Sequence, residues 1–266
     1  MRRRLDTELV RRGLAPSRAR AVELIETGRV TVGGAPADSP ARQVDGAEAV
    51  AVAAAANEYV SRGGHKLRRA LDEFAIDVTG LRALDAGAST GGFTDCLLQA
   101  GAAEVVAVDV GRGQFAWSLR GDSRVTVMER TNLRDLVAGA LGAPVDLVVA
   151  DLSFISLRLV AANLLGLATP SAAFVLLIKP QFEAGRERVG KGGVIRDPTV
   201  HREVLGEVVA ALDAIGLGIS AVIPSPLQGA DGNVEFLARA SRGSATVGDE
   251  ALDRAVASAP TRPGPE

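Results

Sequence analysis

Apolar positions along this chain repeat at two spacings, and the change from one to the other divides it. Over the first fifty residues the repeat is short and helical. Leu5, Leu9 and Val10 form a stripe that Gly13 ends, and Ser17 stands as N-cap to a second helix with Ala21, Val22, Leu24 and Ile25 inward. Gly28 closes that helix, and Val30 and Val32 alternate into Gly33-Gly34, a hairpin signal. An alanine-rich tether then runs into Asn57-Glu58-Tyr59-Val60, and a helix is predicted from near Gly64 with Leu67, Ala70, Leu71 and Phe74 on one face. From Arg82 short apolar strands alternate with helices. The strands are predicted at Arg82–Asp85, Val105–Val110, Val125–Met128, Val145–Asp151 and Phe174–Ile178. A helix over Val200–Ile215 and two more strands, near Ile219–Ile223 and Val234–Ala238, complete the pattern. Apolar strands separated by helices predict a mostly parallel sheet covered on both faces, an α/β, Rossmann-like doubly wound fold. The expected division is a small α+β domain over 1–56, a linker at 57–60, the α/β domain over 61–241, and a flexible tail at 242–266, rich in Ala, Ser, Gly and Pro.

Charge changes the picture at one end only. The 266 residues carry a net charge of −2, which argues against a polyanion as partner. Residues 1–30, however, hold eight arginines (Arg2, Arg3, Arg4, Arg11, Arg12, Arg18, Arg20 and Arg29) against four acids. A local basic patch matters more to a nucleic acid than the total does. The single cysteine, Cys96, and the two histidines, His65 and His201, exclude a disulfide framework and the usual zinc constellations, so no metal is expected. No apolar run approaches the ~18 residues of a membrane span. The opening Met-Arg-Arg-Arg-Leu-Asp leads into no apolar core, so a cytoplasmic protein without a membrane segment is expected.

The segment Asp85-Ala86-Gly87-Ala88-Ser89-Thr90-Gly91-Gly92-Phe93 puts an acid at a strand end and a glycine-rich turn before a helix. A dinucleotide requires G-x-G-x-x-G, so that its pyrophosphate can sit on the helix N-terminus. This turn lacks the second glycine, and Asp85 would oppose phosphates. S-adenosylmethionine carries an ammonium and a sulfonium, to which an acid is welcome, and its carboxylate can use the helix amides. Asp109, at the end of the next strand, suits ribose hydroxyls in either cofactor, or simply faces water. Thr131-Asn132 follows the third strand, where adenine would lie; a capping pair would read the same way. Asp151 ends the fourth strand, Lys179 the fifth, Glu235 adjoins the last, and Lys66 lies in the helix before the sheet. A lysine directly after five apolar residues is costly unless an acid meets it.

Two resemblances rest on these residues. R-L-D-x-x-L-V-R-R-G-L, S-R-A-x-A and I-x-x-G-R-V-x-V-G-G, over about residues 3–50, resemble the small RNA-binding domain named after the fourth protein of the small ribosomal subunit. Arg4, Arg18 and Arg20 become candidate RNA contacts. The ordered set Lys66, Asp151, Lys179, Glu235 matches the K-D-K-E tetrad of FtsJ-like ribose 2′-O-methyltransferases. S-R-G-G-H-K-L, D-A-G-A-S-T-G-G-F-T, D-L-S-F-I-S-L, K-P-Q-F-E and G-N-V-E-F are similar to the TlyA family in particular, which joins the two domains. This resemblance implies a class I S-adenosylmethionine methyltransferase fold with a closing hairpin-like strand pair. It also implies methylation of a cytidine ribose in ribosomal RNA or ribosomal subunits. Donor contacts would fall at Asp85, Gly87, Ser89, Thr90, Gly91, Gly92, Phe93, Asp109, Asn132 and Asp151. Lys179 would be the catalytic centre, oriented by Asp151 and Glu235 with Lys66 nearby, either as a base or as a cation stabilising the developing oxyanion. Where actinobacterial relatives carry R-x-W-V between the domains, this chain has Asn57-Glu58-Tyr59-Val60, keeping an aromatic and losing the cation.

The rival readings are weaker on the residues. A base N-methyltransferase would carry D/N-P-P-F/Y in place of Asp151-Leu152-Ser153-Phe154, and a C5-cytosine enzyme would need a nucleophilic cysteine where Cys96 sits in a helix. A purely RNA-binding or haemolysin-like protein would need neither the glycine turn nor the tetrad.

Overall fold

A computed structural model describes residues 2–26, 28–53, 59–185, 187–190, 192–229 and 232–260. The chain divides into two units, 1–58 and 59–266.

In the first unit α1 (Leu5–Arg11) and α2 (Arg18–Glu26) pack with short strands β1 (Arg3–Arg4), β2 (Val30–Val32), β3 (Ala35–Pro36), β4 (Gln43–Val44) and β5 (Val50–Val52). Leu5, Leu9, Ala21, Leu24, Ile25, Val30, Val32 and Val44 form its core. Two positions predicted inward are not: Val10 is 37% exposed and Val22 half-buried, because α1 and α2 are too short for their apolar stripes to be covered across the full width. Ser17 caps α2, its hydroxyl accepting from the Arg20 N–H at 3.3 Å. Gly33 and Gly34 both take positive φ, 60° and 82°, between the paired Val32 and Ala35. Two left-handed residues in a two-residue turn match the twist of the strands they join, and glycine takes that conformation without strain.

The second unit opens with α3 (Gly63–Glu73) and then winds β6 (Arg82–Ala86), α4 (Gly92–Gln99), β7 (Glu104–Val108), α5 (Trp117–Arg120), β8 (Val125–Met128), β9 (Val145–Ala150), α6 (Ala161–Leu167), β10 (Ala168–Ile178), α7 (Pro180–Glu183), α8 (Pro198–Asp213), β11 (Leu217–Pro224), β12 (Phe236–Arg242) and α9 (Asp249–Ala257). Among the described residues the strands make one seven-stranded sheet in the order β11-β12-β10-β9-β6-β7-β8. β6 to β10 run parallel, and β12 pairs antiparallel with both β10 and β11. Alternation within each strand sorts the sheet's two faces. Leu84, Val148, Leu176 and Phe174 meet α6 and α8 on one side. Ala83, Val149, Val175 and Leu177 meet α3 and α4 on the other. The chain winds outward through β7 and β8, then returns to the other side of β6 for β9. That reversal leaves a crevice at the carboxyl ends of β6 and β9, where doubly wound sheets bind ligands.

Three expectations change. The linker is half structure: Asn57 and Glu58 lie outside the described residues, but Tyr59 is buried and the Val60 N–H donates to the Asp95 carboxylate at 2.7 Å. A Cβ on Gly64 would sit 2.1 Å from the Tyr59 ring, so glycine there makes room for the aromatic. β7 ends at Val108, because Asp109 accepts the Gly111 N–H at 2.6 Å and turns the chain, leaving Val110 exposed. The stretch expected to be a flexible tail contains α9, which buries Leu252 and Ala255 in the core beside α8, while Arg202 of α8 pairs with Asp249 and Asp253. Leu252, Ala255 and the partly buried Val256, at i, i+3 and i+4, dock this short helix, although the surrounding composition reads as linker.

Leu252→Ala should therefore destabilise the protein by ~2–3 kcal/mol, the lower part of the range for a buried leucine because the site is peripheral. Urea unfolding would read this as a lower midpoint at unchanged slope; an unchanged midpoint would return the segment to tail.

Candidate active site

β6 delivers the glycine turn. Asp85 is the penultimate residue of the strand and points out of its face into the layer beneath the turn, fully buried. Gly87 (φ +86°), Ser89 (φ +49°) and Gly91 (φ +97°) then carry the backbone through left-handed conformations into α4. At Gly87 the requirement is also one of space: a Cβ there would lie 2.4 Å from the Asp151 carbonyl oxygen. The Ser89 N–H donates to Asp109 at 2.8 Å, so Asp109 braces the turn while its other oxygen takes Gly111. At Gly92 a Cβ would meet the Ser61 hydroxyl at 2.1 Å, so this glycine lets α4 begin against the residues that open α3.

The turn divides two connected cavities that share Gly87, Ser89 and Asp151. One, of about 340 Å³, is walled by Asp109, Gln114, Asn132, Leu133, Leu152 and Phe154. The other, of about 210 Å³, is walled by Ser61, Lys66, Thr90, Gly92, Phe93 and Gln228. Asn132 caps the turn at Leu133–Asp135 by accepting the Arg134 N–H at 3.0 Å, and it also lines the larger of the two cavities.

Asp85 and Gly91, expected at the surface of the site, line neither cavity. Gly91 lies behind the turn, where a Cβ would meet Leu119 at 2.6 Å. The Thr94 hydroxyl donates to one oxygen of Asp85 at 2.6 Å, while the other is buried with no partner. Burial pushes this carboxyl up to about 7, against the opposing Thr94 hydrogen bond and with help from the nearby Asp151 charge.

The tetrad assembles as two pairs rather than around one lysine. Lys179, at the end of β10, lies 2.6 Å from Asp151 at the end of β9, and donates to the Ser153 hydroxyl at 3.1 Å. Lys66 of α3 meets Glu235, just before β12, at 2.5 Å. Among the described residues no ion pair joins Lys179 to Glu235, so the expected orientation of Lys179 by Glu235 gives way to a Lys66–Glu235 pair. The reason is topological: β12 is antiparallel beside β10, and Glu235 therefore enters from the loop that faces α3. The backbone approach is close, since a Cβ on Gly229 would lie 2.2 Å from a Glu235 oxygen. Each partner offsets the desolvation of the other.

Several contributors carry no legible signature. Ser153, Gln228 and Gly229 are ordinary residues until the fold places them, and Arg62 donates to the Gln228 carbonyl at 3.1 Å, tying the start of α3 to that loop. Phe154 is 90% exposed at φ +65°, its ring 5.3 Å from that of Phe182. A bulky residue in the left-handed region and in solvent carries backbone strain that no burial offsets. Cys96, by contrast, is fully buried in the layer under α4, and burial pushes its thiol up to about 11, so it is no nucleophile. No helix among the described residues is long and apolar enough to cross a membrane.

Such a crevice, with paired charges on its rim and a glycine turn at its floor, defines a doubly wound ligand-binding α/β domain. Known proteins narrow this further. Residues 59–242 match the FtsJ-like methyltransferase model, and residues 3–50 match the S4 domain. A Mycobacterium tuberculosis protein, 16S/23S rRNA (cytidine-2′-O)-methyltransferase TlyA, is 50% identical over 97% of this chain and 99% of its own length. A solved structure described as a hemolysin from Streptococcus thermophilus is 36% identical, with a TM-score of 0.74 over 96% of this chain and 94% of that one. Another, from Lactococcus lactis, is 43% identical, with a TM-score of 0.70 over 74% of this chain and 97% of that one. The chain belongs to the TlyA family of FtsJ-like methyltransferases and carries an S4 domain ahead of the catalytic fold.

The buried Asp85 has a measurable consequence. The folded protein keeps its proton up to about pH 7, whereas the unfolded chain releases it near 3.8. Between these values the folded state binds more protons, so the stability contributed by the neutral acid falls as pH rises from about 4 to about 7 and stays low above. Asp85→Asn is neutral throughout and can still accept from Thr94. Its melting temperature without ligand should gain on the unsubstituted protein as pH rises across that window; a constant difference would mean the acid is ionised in the fold.

Proposed function

We propose that this protein transfers a methyl group from S-adenosylmethionine to the 2′-hydroxyl of a cytidine ribose in ribosomal RNA. The Lys179–Asp151 pair, whose Asp151 lines a cavity floored by the glycine turn, carries the reading. The residues fit such a donor. The bare Gly87 lets the turn lie against the Asp151 backbone and floor the cavity, and a buried Asp85 oxygen with no hydrogen-bond partner among the described residues underlies it. Asp109 and Asn132 would hold the adenosine end. Gly87, Ser89, Thr90, Gly92 and Phe93 would hold the amino-acid end, with Gly91 and Asp85 shaping the turn from behind. When bound, S-adenosylmethionine supplies an electrophilic methyl group.

The protein's own task is to place the acceptor oxygen and manage its charge. The hydroxyl would pass its proton to water as its oxygen bonds the methyl carbon and the carbon–sulfur bond breaks, so negative charge develops on oxygen on the way. An ammonium has three donors. Contacts with Asp151 and Ser153 leave Lys179 capacity for an acceptor oxygen. Asp151 fixes the direction of that ammonium, whose charge can stabilise the developing oxyanion. The Lys66–Glu235 pair closes the opposite wall. The exposed Phe154 ring offers the acceptor nucleotide an apolar face at the mouth. The relative from M. tuberculosis is named for cytidine in both 16S and 23S rRNA, and this supports the same substrate class here. The S4 domain, with Arg4, Arg18 and Arg20, would engage the RNA.

Incubating the protein with labelled donor and separated ribosomal subunits should place label on a cytidine 2′-oxygen. Label on a base, or none on either subunit, would overturn the reading.

Lys179→Ala should lower methyl transfer ~10²–10⁴-fold with donor binding close to unchanged. Arginine keeps the charge but cannot act as a base near neutral pH, so substantial activity in Lys179→Arg assigns the electrostatic role. Near-normal turnover in the alanine variant would remove Lys179 from the mechanism.

A further inference from the structure

The basic N-terminal unit contains a carboxylate in an unexpected place. Asp6 sits in the first turn of α1, where an acid is ordinarily a solvent-facing partner for the helix dipole. Here its side chain is 1% exposed. One oxygen accepts from Arg4 Nη2 at 2.9 Å and from Arg18 Nε at 3.1 Å; the other accepts from Arg4 Nε at 3.2 Å, the Thr7 N–H at 2.7 Å and the Thr7 hydroxyl at 3.1 Å. Arg4 precedes α1 and Arg18 opens α2, so a single buried anion gathers two guanidiniums from different elements. Those two side chains nevertheless stay 43% and 63% exposed.

Glu8, further along α1, is a comparison within the same helix: its partner Arg11 also stays 50% exposed, but its partner Arg12 is tied down. It is equally buried and takes Arg11 and Arg12. Arg12 then spends its remaining donors on the carbonyls of Glu48, Gly46 and Asp45 and is only 19% exposed, so it staples α1 to the loop before β5. Among the described residues Arg4 and Arg18 make no such second set of contacts. A guanidinium has five N–H donors. Arg4 uses its Nε and one Nη, and Arg18 uses its Nε, on the carboxylate, which leaves donors of both directed to solvent.

We propose that Asp6 is a positioning residue for RNA binding, holding Arg4 and Arg18 side by side as one phosphate-binding fork. Two guanidiniums at this separation repel each other, and free in solution their long side chains would sample many rotamers. The shared carboxylate cancels the repulsion, fixes both planes, and leaves the fork with a net single positive charge. Planar, pre-aligned donors suit the oxygens of a phosphodiester. The Arg4 side chains' hold on Asp6 keeps its carboxyl well below the ordinary range, so the fork stays assembled at neutral pH. The proposal rests on the reading that this domain engages RNA.

The test exploits a difference in sign. Asp6→Asn makes the domain more basic. If the arginines act as diffuse charges, affinity for RNA rises and its salt dependence steepens. If Asp6 positions them, affinity falls and the dependence flattens. Binding of the full-length protein to a 23S ribosomal RNA transcript, measured across a salt series, should show Asp6→Asn roughly tenfold weaker, the scale of one lost charge-assisted contact, with a shallower slope. Tighter binding with a steeper slope overturns the proposal and leaves the RNA reading intact, provided that the Arg4→Gln, Arg18→Gln double variant loses affinity. A double variant that binds like the unsubstituted protein removes both. Should Asp6→Asn unfold the unit, as shown by proteolysis within residues 3–53, the arginine cycle decides instead. A shared fork requires the double variant to lose less than the sum of the single losses. Additive losses overturn it.

Discussion

The site depends on one close approach, that of the Gly87 backbone to the Asp151 carbonyl across the point where the strand order reverses. No side chain fits between them, since a Cβ would come within 2.4 Å of that oxygen. The Asp151 N–H, donating to the Ala86 carbonyl at 3.0 Å, closes the same seam. Pressing the end of β6 against the end of β9 in this way does two things at once. It makes the turn a shared floor for both cavities, and it sets the direction in which Asp151 leaves the sheet toward Lys179. A side chain at position 87 would push the turn out and the carboxylate away together. On the proposed function, cofactor geometry and acceptor geometry would be coupled through backbone rather than through a side-chain relay.

The second constraint is charge in a poorly solvated place. Lys66, Lys179 and Glu235 are each less than a tenth exposed, and every one of them has an oppositely charged partner. Replacing such pairs by apolar residues is often neutral or favourable for stability, whereas removing one member leaves a buried charge at a cost of several kcal/mol. Their retention in this fold therefore speaks for chemistry. Asp85 is the exception that confirms how expensive burial is: it has a hydroxyl but no cation, and it responds by holding its proton.

Much of this was readable in the chain. The strands of the second unit follow from short, near-continuous apolar runs bounded by turns, as strands buried on both faces of a sheet must be. The turn, Asp109, Asp151 and Lys179 were legible because each abuts a strand end, and strand ends at a reversal point converge. What sequence could not supply was pairing at long range. Lys66 and Glu235 are 169 residues apart, and their partnership depends on β12 running antiparallel. Nor could it tell that Asp85 points under the turn, since one residue of register decides which face a strand side chain joins. The helix α9 was hidden by its composition. Leu252, Ala255 and the partly buried Val256 make one i, i+3, i+4 stripe, a single turn of spacing within a stretch rich in Ala, Ser and Gly.

The arrangement also explains how an acidic chain can address a polyanion. Two lysines matched by two acids give the tetrad no net charge, so the rim itself has no general attraction for phosphate. That neutrality suits a donor that is itself cationic, because a strongly basic site would repel it. Attraction for the RNA is displaced to the first unit, where eight arginines among the first thirty residues face four acids. Even there, the two acids inside α1 are buried under arginine side chains, so the surface that a nucleic acid meets is more basic than the count of residues suggests. Recognition and chemistry thereby make opposite electrostatic demands, and placing them in separate units lets one chain satisfy both.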